Sequence, residues 1–393
     1  MFIPDTLPFK TAAILNICYN LIVLKDTGKT FNAIQVNILT DNENITTGIV
    51  MLNLGGPDSL QAVRPFLYNL FSDREIIRLG PTFLQKPLAW LISTLRSKKT
   101  ESMYSLIGGK SPILDITTAQ AEMLEKALND EARGQRPEAS EKLDHNNSSP
   151  IAHSHLPLAF KVYIGMRYWH PFMKETVNTI IKDGVSRLVV LSLYPHYSKA
   201  TTGSSVDDFK RIIGKDINIQ YIEEWYDFPA YIDSLADLIA SGVKEFSGSD
   251  YDILYSAHSL PQSFIDEGDP YLNHINMTIE KVNERVAQEP YNITDLKWRL
   301  SFQSKTGPVK WLEPSTEETI AKLSEEGCRN LFVVPISFVS DHIETLYEID
   351  IQYKELAEKN GINLKRCASL NTSEKFITAL KSLIIEKGQG ARG

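Results

Sequence analysis

The sequence predicts two doubly wound α/β domains, each with a parallel sheet flanked by helices, and a cleft between them. Short apolar, β-branched runs alternate with longer amphipathic segments along most of the chain. Runs such as LFVVP at 331–335 lack polar alternation, which is typical of parallel strands covered by helices on both faces. A Ser-Gly-Ser-Asp segment at 247–250 divides this pattern into two halves, so the domain boundary is predicted there.

Size and composition narrow the class of protein. The 393 residues suffice for two hydrophobic cores, and 42% apolar with 23% charged residues is typical of a soluble globular chain. A net charge of −8 argues against a general nucleic-acid binder. Cys18, Cys328 and Cys367 are far apart and form no CxxC, which predicts neither a disulfide framework nor a metal-binding cysteine cluster and fits a reducing compartment.

Residues 1–47 are predicted to be a disordered N-terminal extension. The segment 12–24 is mildly apolar, but Asn16 and Asn20 interrupt it and no convincing cleavage site follows. A weak signal peptide or a start codon called too early are the alternatives. The lack of arginine argues against a mitochondrial transit peptide.

The first domain is predicted over 48–248, with a polar insert at 130–156. It opens with a buried strand in 48–57 that ends in a Gly-Gly-Pro turn. The predicted helices that follow are 59–71, 117–129, 171–182, 204–213 and 229–246, and the predicted strands are 160–165, 186–193 and 217–222. A phosphate-binding loop is rejected because there is no G-x-G-x-x-G, and the GGKS at 108–111 lacks the earlier glycine of a Walker motif.

The segment 83–106 carries an apolar stripe with a basic end. The stripe comprises Leu84, Leu88, Leu91, Ile92 and Leu95 beside Trp90, and the basic end comprises Arg96, Lys98 and Lys99. Such a stripe usually faces a protein core. The alternative is an interfacial segment that dips into a membrane surface and binds anionic headgroups with its basic end.

The second domain is predicted over 249–372 and is followed by a helix at 373–388. Its predicted strands are 251–256, 297–302 and 331–335, and its predicted helices are 270–287 and 315–325. A further helix follows the last strand. Ser340 and Asp341 are its candidate N-caps, and Glu344 stands where a capping box would place an acid.

Two polar groups follow neighbouring strands of this second domain. His258 ends one strand, while Asp341, His342, Glu344 and Glu348 follow another. In open α/β sheets ligands bind outside the carboxyl ends of the strands. A capping histidine and a solvated acidic helix face are the structural alternatives. The functional alternative is a base near neutral pH beside anionic oxygen ligands for a divalent cation. No G-x-S-x-G or H-E-x-x-H occurs, so serine hydrolase and common zinc peptidase chemistry is not predicted.

Seven blocks, in order, resemble the ferrochelatases, enzymes that insert ferrous iron into a porphyrin. The blocks are LNLGGPDS (52–59), YSLIGGKSPI (104–113), GMRYWHP (165–171), YPHYSKATTGSS (194–205), SAHSLP with GDPY (256–261 and 268–271), SFQSKTGPVKWLEPST (301–316) and FVSDHIETLYEID (338–350). The resemblance runs from residue 48 to the C-terminal helix. It implies two similar Rossmann-like domains of the class II chelatase kind, an active site in the interdomain cleft, and a C-terminal helix that packs on the first domain.

The resemblance also implies roles for individual residues. His258 matches the family's active-site histidine, a proton acceptor or an iron ligand. Glu344 matches the carboxylate facing it, with His342 and Asp341 as its hydrogen-bonded supports. Glu348 continues an acidic path for iron or protons, and Gln352 departs from the acid found there in relatives. The remaining matches are Arg167 and Tyr168 on the opposite face, Arg96, Tyr104 and Ser111 at the propionates, and Leu54 and Trp311 as apolar walls of the macrocycle.

The function expected from this resemblance is insertion of ferrous iron into protoporphyrin IX. Coproporphyrin III as substrate, a porphyrin or haem carrier without turnover, and a periplasmic-type solute receptor are the alternatives. Iron is expected as substrate, coordinated by His258, Glu344 and Glu348, with no tightly bound cofactor and no iron–sulfur cluster. We expect a cytoplasmic protein with peripheral contact at the inner face of the membrane through 83–106. Monomer and homodimer both stay open.

Overall fold

Eight strands form two parallel four-stranded sheets in the part of the chain that the computed structural model describes, residues 47–134, 160–214, 217–246, 248–305, 307 and 309–388. The first sheet contains β1 (Thr47–Asn53), β2 (Phe160–Met166), β3 (Arg187–Ser192) and β4 (Asn218–Ile222) in the order β2-β1-β3-β4. Every residue of β1 is buried, as expected for a central strand covered on both faces.

Helices flank the first sheet. They are α1 (Val63–Ser72), α2 (Gln85–Leu106), α3 (Ile113–Gly134), α4 (Met173–Lys182), α5 (Ser204–Ile213) and α6 (Pro229–Val243). Short turns of π helix (Lys199–Gly203) and 3₁₀ helix (Thr82–Leu84, Lys244–Phe246) adjoin α5, α2 and α6. Because each parallel crossover returns the chain to the same edge, the carboxyl ends of all four strands open on one side.

The second sheet repeats this arrangement. It contains β5 (Asp252–His258), β6 (Trp298–Gln303), β7 (Asn330–Pro335) and β8 (Asn363–Arg366) in the order β6-β5-β7-β8. Its helices are α7 (Gln262–Asp266), α8 (Tyr271–Ala287), α9 (Thr316–Glu325), a π helix (Glu344–Tyr353) and α10 (Lys354–Lys359). His258 pairs in register with Gln303, so both side chains stand at the carboxyl edge of this sheet.

The last helix, α11 (Glu374–Gly388), packs on the first sheet rather than the second. Phe376 stacks on Trp225 at 6.2 Å between ring centroids, and Arg187 at the start of β3 donates a 2.9 Å hydrogen bond to the Gly388 carbonyl. One apolar cluster runs from β1 through α6 and α11 to β5 and β7. This shared core fixes one sheet against the other.

The predicted α/β class and its parallel sheets are confirmed. Three local expectations were wrong. The helix after β7 begins as a π helix whose N-cap, Ile343, makes no side-chain cap, so the capping box of Asp341 and Glu344 does not form. Strand β8 was missed because its four residues NLKR carry no apolar run. Helix α3 continues to Gly134, through the start of the predicted insert at 130–156.

The remaining boundary expectations are not decided. Residues 1–46 and 135–159 lie outside the described residues, so the expected extension and most of the insert are not described. The division into 48–248 and 249–372 stays a prediction.

Candidate active site

His258 ends β5 at the mouth of the second sheet. Its backbone is held on both sides, because its N–H donates to the Ser337 hydroxyl at 3.0 Å and its carbonyl accepts from the Tyr271 hydroxyl at 2.9 Å. The imidazole packs edge-on against Phe338, with no hydrogen bond to it from the described residues. Burial lowers the pKa of His258 below its usual range; Glu344 opposes this and His342 reinforces it. The ring is therefore a neutral base at neutral pH.

His342 and Glu344 form a second pair beside it. The His342 Nδ1 atom lies 2.9 Å from the Ser340 carbonyl, which can only accept, so Nδ1 carries a proton. The other ring nitrogen, Nε2, lies 3.1 Å from Glu344 Oε2 without hydrogen-bond geometry. Both atoms can accept a proton, so a proton taken up by either side chain can pass to the other across this short distance.

Glu348 lies one step further along the π helix. Its Oε2 atom accepts hydrogen bonds from the Gln303 amide at 3.0 Å and the Ser304 hydroxyl at 2.5 Å. Burial and the negative charge of Glu344 nevertheless raise the pKa of Glu348 to about 8. Neither carboxylate has a lysine or arginine partner within the described part of the chain. Two acidic side chains thus share a partly buried strip with no cation to balance them.

Asp341 does not contact His342 or Glu344 through its side chain. Its carboxylate accepts hydrogen bonds from four groups, those of Arg366 (3.0 Å), Thr345 (3.0 Å), Ser369 (2.7 Å) and Asn371 (2.8 Å). Burial raises its pKa, but Arg366 and these hydrogen bonds outweigh burial and hold the pKa below its usual range. Asp341 is an ionised anchor for the chain that carries His342.

Two tyrosines from the first half of the chain, the buried Tyr104 and the half-buried Tyr194, lie near this strip. Burial raises the pKa of Tyr104 and of Tyr194, and the charge of Glu344 raises both pKa values further. The Tyr194 hydroxyl donates to Asn53 Oδ1 at 2.8 Å and accepts from the Leu54 N–H at 3.0 Å. Leu54, the residue after β1, is thereby hydrogen-bonded to a phenol whose pKa is raised by the charge of Glu344. Ile343, next to Glu344, packs against the apolar cluster that includes Tyr104.

Arg167 and Tyr168 belong to a different network. Both donate to Asp73 Oδ2, from Arg167 Nη2 at 2.7 Å and from the Tyr168 hydroxyl at 2.6 Å. The Ser204 hydroxyl adds a third donor to this oxygen at 2.7 Å. Burial raises the pKa of Asp73, but these partners outweigh it and lower the pKa. The Tyr168 N–H also bonds to the Leu54 carbonyl at 2.9 Å, so the network adjoins the end of β1.

The other predicted substrate residues occupy three separate positions. Arg96 is exposed on α2 with its guanidinium 5.7 Å from the Phe71 ring centroid. Ser111 is buried before α3, and a Cβ on Gly56 would approach its hydroxyl to 2.4 Å. Trp311 bridges to Pro261, and its buried indole N–H has no partner among the described residues. Gln352 is exposed and outside the acidic strip.

Helix α2 presents most of its apolar stripe to solvent. Leu84, Trp90, Leu91 and Leu95 are exposed, so the usual interpretation of the stripe as core was wrong for them, whereas Leu88 and Ile92 are half-buried. The helix instead buries Gln85, Ala89, Ser93, Ser97 and Tyr104. Small side chains on this face let α2 pack closely on α1, and the large ones point outward. Phe83 is 77% exposed and Leu95 72%. No helix in the described part of the chain is long and apolar enough to cross a bilayer.

These features are typical of a two-sheet α/β protein with a binding or catalytic site where its strands end. A neutral histidine, the close His342–Glu344 pair and an acid of raised pKa lie near one another there. Among the described residues no group of three or more His, Cys, Asp or Glu side chains is assembled to hold a metal ion. His258, Glu344 and Glu348 are thus not a preformed coordination sphere.

Comparison with known proteins identifies the family. The ferrochelatase family profile matches residues 46–388. Ferrochelatases from Geotalea uraniireducens (strain Rf4) and Desulfotalea psychrophila (strain LSv54 / DSM 12343) are 49% and 48% identical to this chain. The first alignment covers 86% of this chain and 97% of the relative; the second covers 88% and 98%. The chain belongs to the ferrochelatase family, whose members insert iron into a porphyrin for haem synthesis, a lyase reaction.

Two further similarities are weaker or more partial. The ferrochelatase of Synechocystis sp. (strain ATCC 27184 / PCC 6803 / Kazusa) is 47% identical over 86% of this chain and 82% of its own length. Among solved structures, SirB from Bacillus subtilis with Fe3+ aligns over 88% of this chain and 98% of its own, with 11% identity and a TM-score of 0.46. That is a loose structural similarity.

Sequence reasoning missed three residues that the structure places in or beside the site. Asp73 stands 94 positions from Arg167 and Gln303 stands 45 from Glu348, so no local periodicity links the partners. Arg366 ends the missed strand β8 and binds Asp341. The one available signal was the repeated occurrence of polar residues at strand ends, which Gln303 and Arg366 both satisfy.

Proposed function

We propose that this chain inserts ferrous iron into protoporphyrin IX, forming protoheme and releasing two protons. The observation that carries the proposal is the uncompensated strip at the second sheet, where neutral His258 stands near Glu344 and Glu348. Metallation removes two N–H protons and brings in one dication, so the site must accept protons and tolerate a positive charge. A strip of surplus acceptors satisfies both needs.

His258 is the proposed proton acceptor. Burial keeps its imidazole neutral, so it holds a lone pair at pH 7 that a solvated histidine holds only in part. The His342–Glu344 pair, whose facing nitrogen and oxygen atoms lie 3.1 Å apart, is the proposed route by which protons leave. Glu348 extends this route because a carboxyl with a pKa of about 8 both accepts and releases protons near neutral pH.

Iron is proposed to approach along Glu348 and Glu344 as substrate. The competing face is occupied by Arg167, whose guanidinium carries a positive charge, and the carboxylate of Asp73 there is already bound by three donors. Glu344 and Glu348 have no lysine or arginine partner among the described residues, so their field attracts a dication. The proposed ligands, His258, Glu344 and Glu348, would then be completed by porphyrin nitrogens or water.

The macrocycle is proposed to bind between Leu54 and Trp311 as apolar walls. Tyr104 and Ser111 lie along its propionate edge, where Arg96 is free to meet a propionate, and Tyr168 lies with Arg167 on the opposite face of the pocket. A planar porphyrin points its N–H bonds into the ring plane, out of reach of a base. Binding a bent ring exposes them, and strain drawn from binding energy lowers the barrier. No tightly bound cofactor is proposed. Neither is an iron–sulfur cluster, because the chain has three scattered cysteines.

We also propose that the protein is cytoplasmic and contacts the inner face of a membrane through α2. Its outward apolar side chains adjoin exposed Arg96, Lys98 and Lys99, the pattern of an interfacial helix on anionic lipid. A hydrophobic porphyrin would enter from there. Cosedimentation with vesicles of anionic and of neutral lipid tests this. We expect binding to the anionic vesicles that is lost in Phe83→Ser/Leu95→Ser; equal pelleting of that variant would contradict it.

The function is tested by anaerobic metallation, following loss of free-porphyrin fluorescence on adding ferrous iron. Protoporphyrin and coproporphyrin are compared side by side. His258→Ala should lower turnover by about 10²- to 10⁴-fold, the usual contribution of a general base. His170→Gln, a half-exposed histidine on the first half, is the control.

The outcomes separate the alternatives. Faster turnover of protoporphyrin that collapses only in His258→Ala supports the proposal. Preference for coproporphyrin would replace the substrate and keep the chemistry. Tight porphyrin binding without metallation would leave a carrier, and binding of neither porphyrin would point to another kind of receptor.

A further inference from the structure

We propose that Arg366 is a positioning residue that clamps the π helix bearing Glu344 and Glu348. The inference rests on the proposed function for its catalytic consequence and on contacts alone for its structural part. Arg366 is the last residue of β8, and 12% of its side chain is exposed. It contacts the chain just before the π helix and also the far part of that helix.

The contact with the far part is bidentate. Arg366 Nε and Nη2 donate to the two carboxylate oxygens of Asp350 at 2.8 and 2.9 Å. The contact with the near part uses the third nitrogen, Nη1, which donates to Asp341 Oδ1 at 3.0 Å. A planar guanidinium satisfies both carboxylates at once because its N–H groups diverge at fixed angles. Glu344 and Glu348 lie between these two anchored positions.

The segment after β8 strengthens the near contact. Asn371 accepts from the Asp341 N–H at 2.9 Å and returns a 2.8 Å bond from its own amide to Asp341 Oδ2. Its N–H donates to the Val339 carbonyl at 2.8 Å, and its φ of 42° is the left-handed conformation that asparagine tolerates. The Ser369 hydroxyl donates to Asp341 Oδ1 at 2.7 Å. The 366–371 segment therefore grips residues 339–341 through backbone and side chain.

The clamp matters because the element it holds is unusual. π-Helical hydrogen bonding is rare beyond a single turn, and here it runs from Glu344 to Tyr353. The same anchored stretch contains the Ser340 carbonyl that orients His342. A shift of either anchor would move Glu344 relative to His258. Misplacement of about 1 Å can cost a reaction about a hundredfold in rate, so the clamp sets catalytic geometry without touching substrate.

The substitution Arg366→Lys provides the sharpest test of the clamp. It keeps the positive charge but cannot bind Asp350 through two nitrogens while reaching Asp341. Arg285→Lys is the matched control, since Arg285 bonds Asp233 and lies over the Tyr291 ring between α6 and α8, outside the site. Asp350→Asn is a second variant that weakens the bidentate contact and spares Asp341. It serves if Arg366→Lys does not fold.

Two readouts are measured on the full chain. Amide hydrogen exchange over residues 340–353 should be faster in Arg366→Lys and unchanged in Arg285→Lys. Turnover of ferrous iron and porphyrin should fall about tenfold or more in Arg366→Lys, with KM for porphyrin nearly unchanged. The clamp would be overturned if amide exchange over residues 340–353 in both Arg366→Lys and Asp350→Asn were the same as in wild type. Faster exchange with undiminished turnover would overturn its catalytic role. Wild-type protein that fails to metallate would overturn the proposed function and leave the exchange result to decide the clamp.

Discussion

The carboxyl ends of the two sheets carry similar residue types in opposite electrostatic arrangements. At the first sheet, the single oxygen Oδ2 of Asp73 accepts from an arginine, a tyrosine and a serine. At the second sheet, Glu344 and Glu348 share one helix strip, and no lysine or arginine of the described residues pairs with either of them. The pKa of Asp73 is lowered as a result, whereas that of Glu348 is raised to about 8.

The comparison shows how one architecture yields two kinds of buried carboxylate. The negative charge of Asp73 is balanced by Arg167 and by two hydroxyl donors, so the ionised carboxylate contributes to stability. Glu348 is kept near its neutral form by burial and by Glu344, so it exchanges protons at physiological pH. Perturbed pKa values of this second kind tend to cluster at functional sites. The difference supports the proposal that the chemistry takes place at the second sheet.

Of the three changes that test this comparison, Glu344→Gln has the largest expected effect, and that effect is on turnover. Removing this carboxylate takes away one member of the His342–Glu344 pair and one of the proposed iron ligands. We expect kcat to fall about a hundredfold, the lower end for acid–base groups, with the melting temperature unchanged or raised. Steady-state metallation and a thermal melt check both halves of this expectation.

The reciprocal change, Asp73→Asn, should affect stability instead. It leaves Arg167 without its principal counter-charge in a site where Asp73 is 7% exposed. Breaking a buried pair on one side costs about 3–5 kcal/mol, and we expect the lower figure because Arg167 Nη1 still lies 3.5 Å from Asp208. Urea denaturation measures the loss, and kcat of the folded protein should change little. If kcat collapsed while stability held, iron would enter at the first sheet and the comparison would fail.

The smallest expected effect is a pH dependence, from Glu348→Gln. The folded pKa of Glu348 is about 8 and lies above its ordinary value, so the folded state binds the proton more tightly than the unfolded state does. Glu348 therefore destabilises the fold increasingly as pH rises from its ordinary pKa toward 8, and the cost is constant above that. Glutamine can still accept from Gln303 and Ser304.

Melting temperatures at pH 5 and pH 9 provide the measurement. We expect the glutamine variant to be more stable than wild type at pH 9, by up to a few degrees, and nearly equal at pH 5. The same variant should lose any inflection near pH 8 in the metallation rate while keeping the acid limb set by His258. An equal stability difference at both pH values would show that Glu348 titrates normally.

Local signals were sufficient for many of the regular elements, though not for the short strand β8. The bounds of α5 and β7 were predicted to within one residue, because apolar β-branched runs and amphipathic periodicity act over a few neighbouring residues. The same locality put His258 at a strand end, and with it the general position of the site. The outward stripe of α2 was beyond such reasoning, since periodicity identifies an apolar face but not whether another element covers it.

The sequence by itself determined the two parallel sheets, the side on which their strands end, and the acids and histidines available there. These follow from short-range pattern and from the right-handed crossover rule. Only the tertiary structure decided which carboxylates received a partner. Asp73 meets Arg167 and Ser204, and Asp341 meets Arg366 and Asn371, through contacts that span 25 to 131 positions. Glu344 and Glu348 meet no cation within the described residues. Because the energy of a charge depends on what surrounds it in space, the ionisation states that distinguish anchor from acid–base group emerge only when the chain is folded.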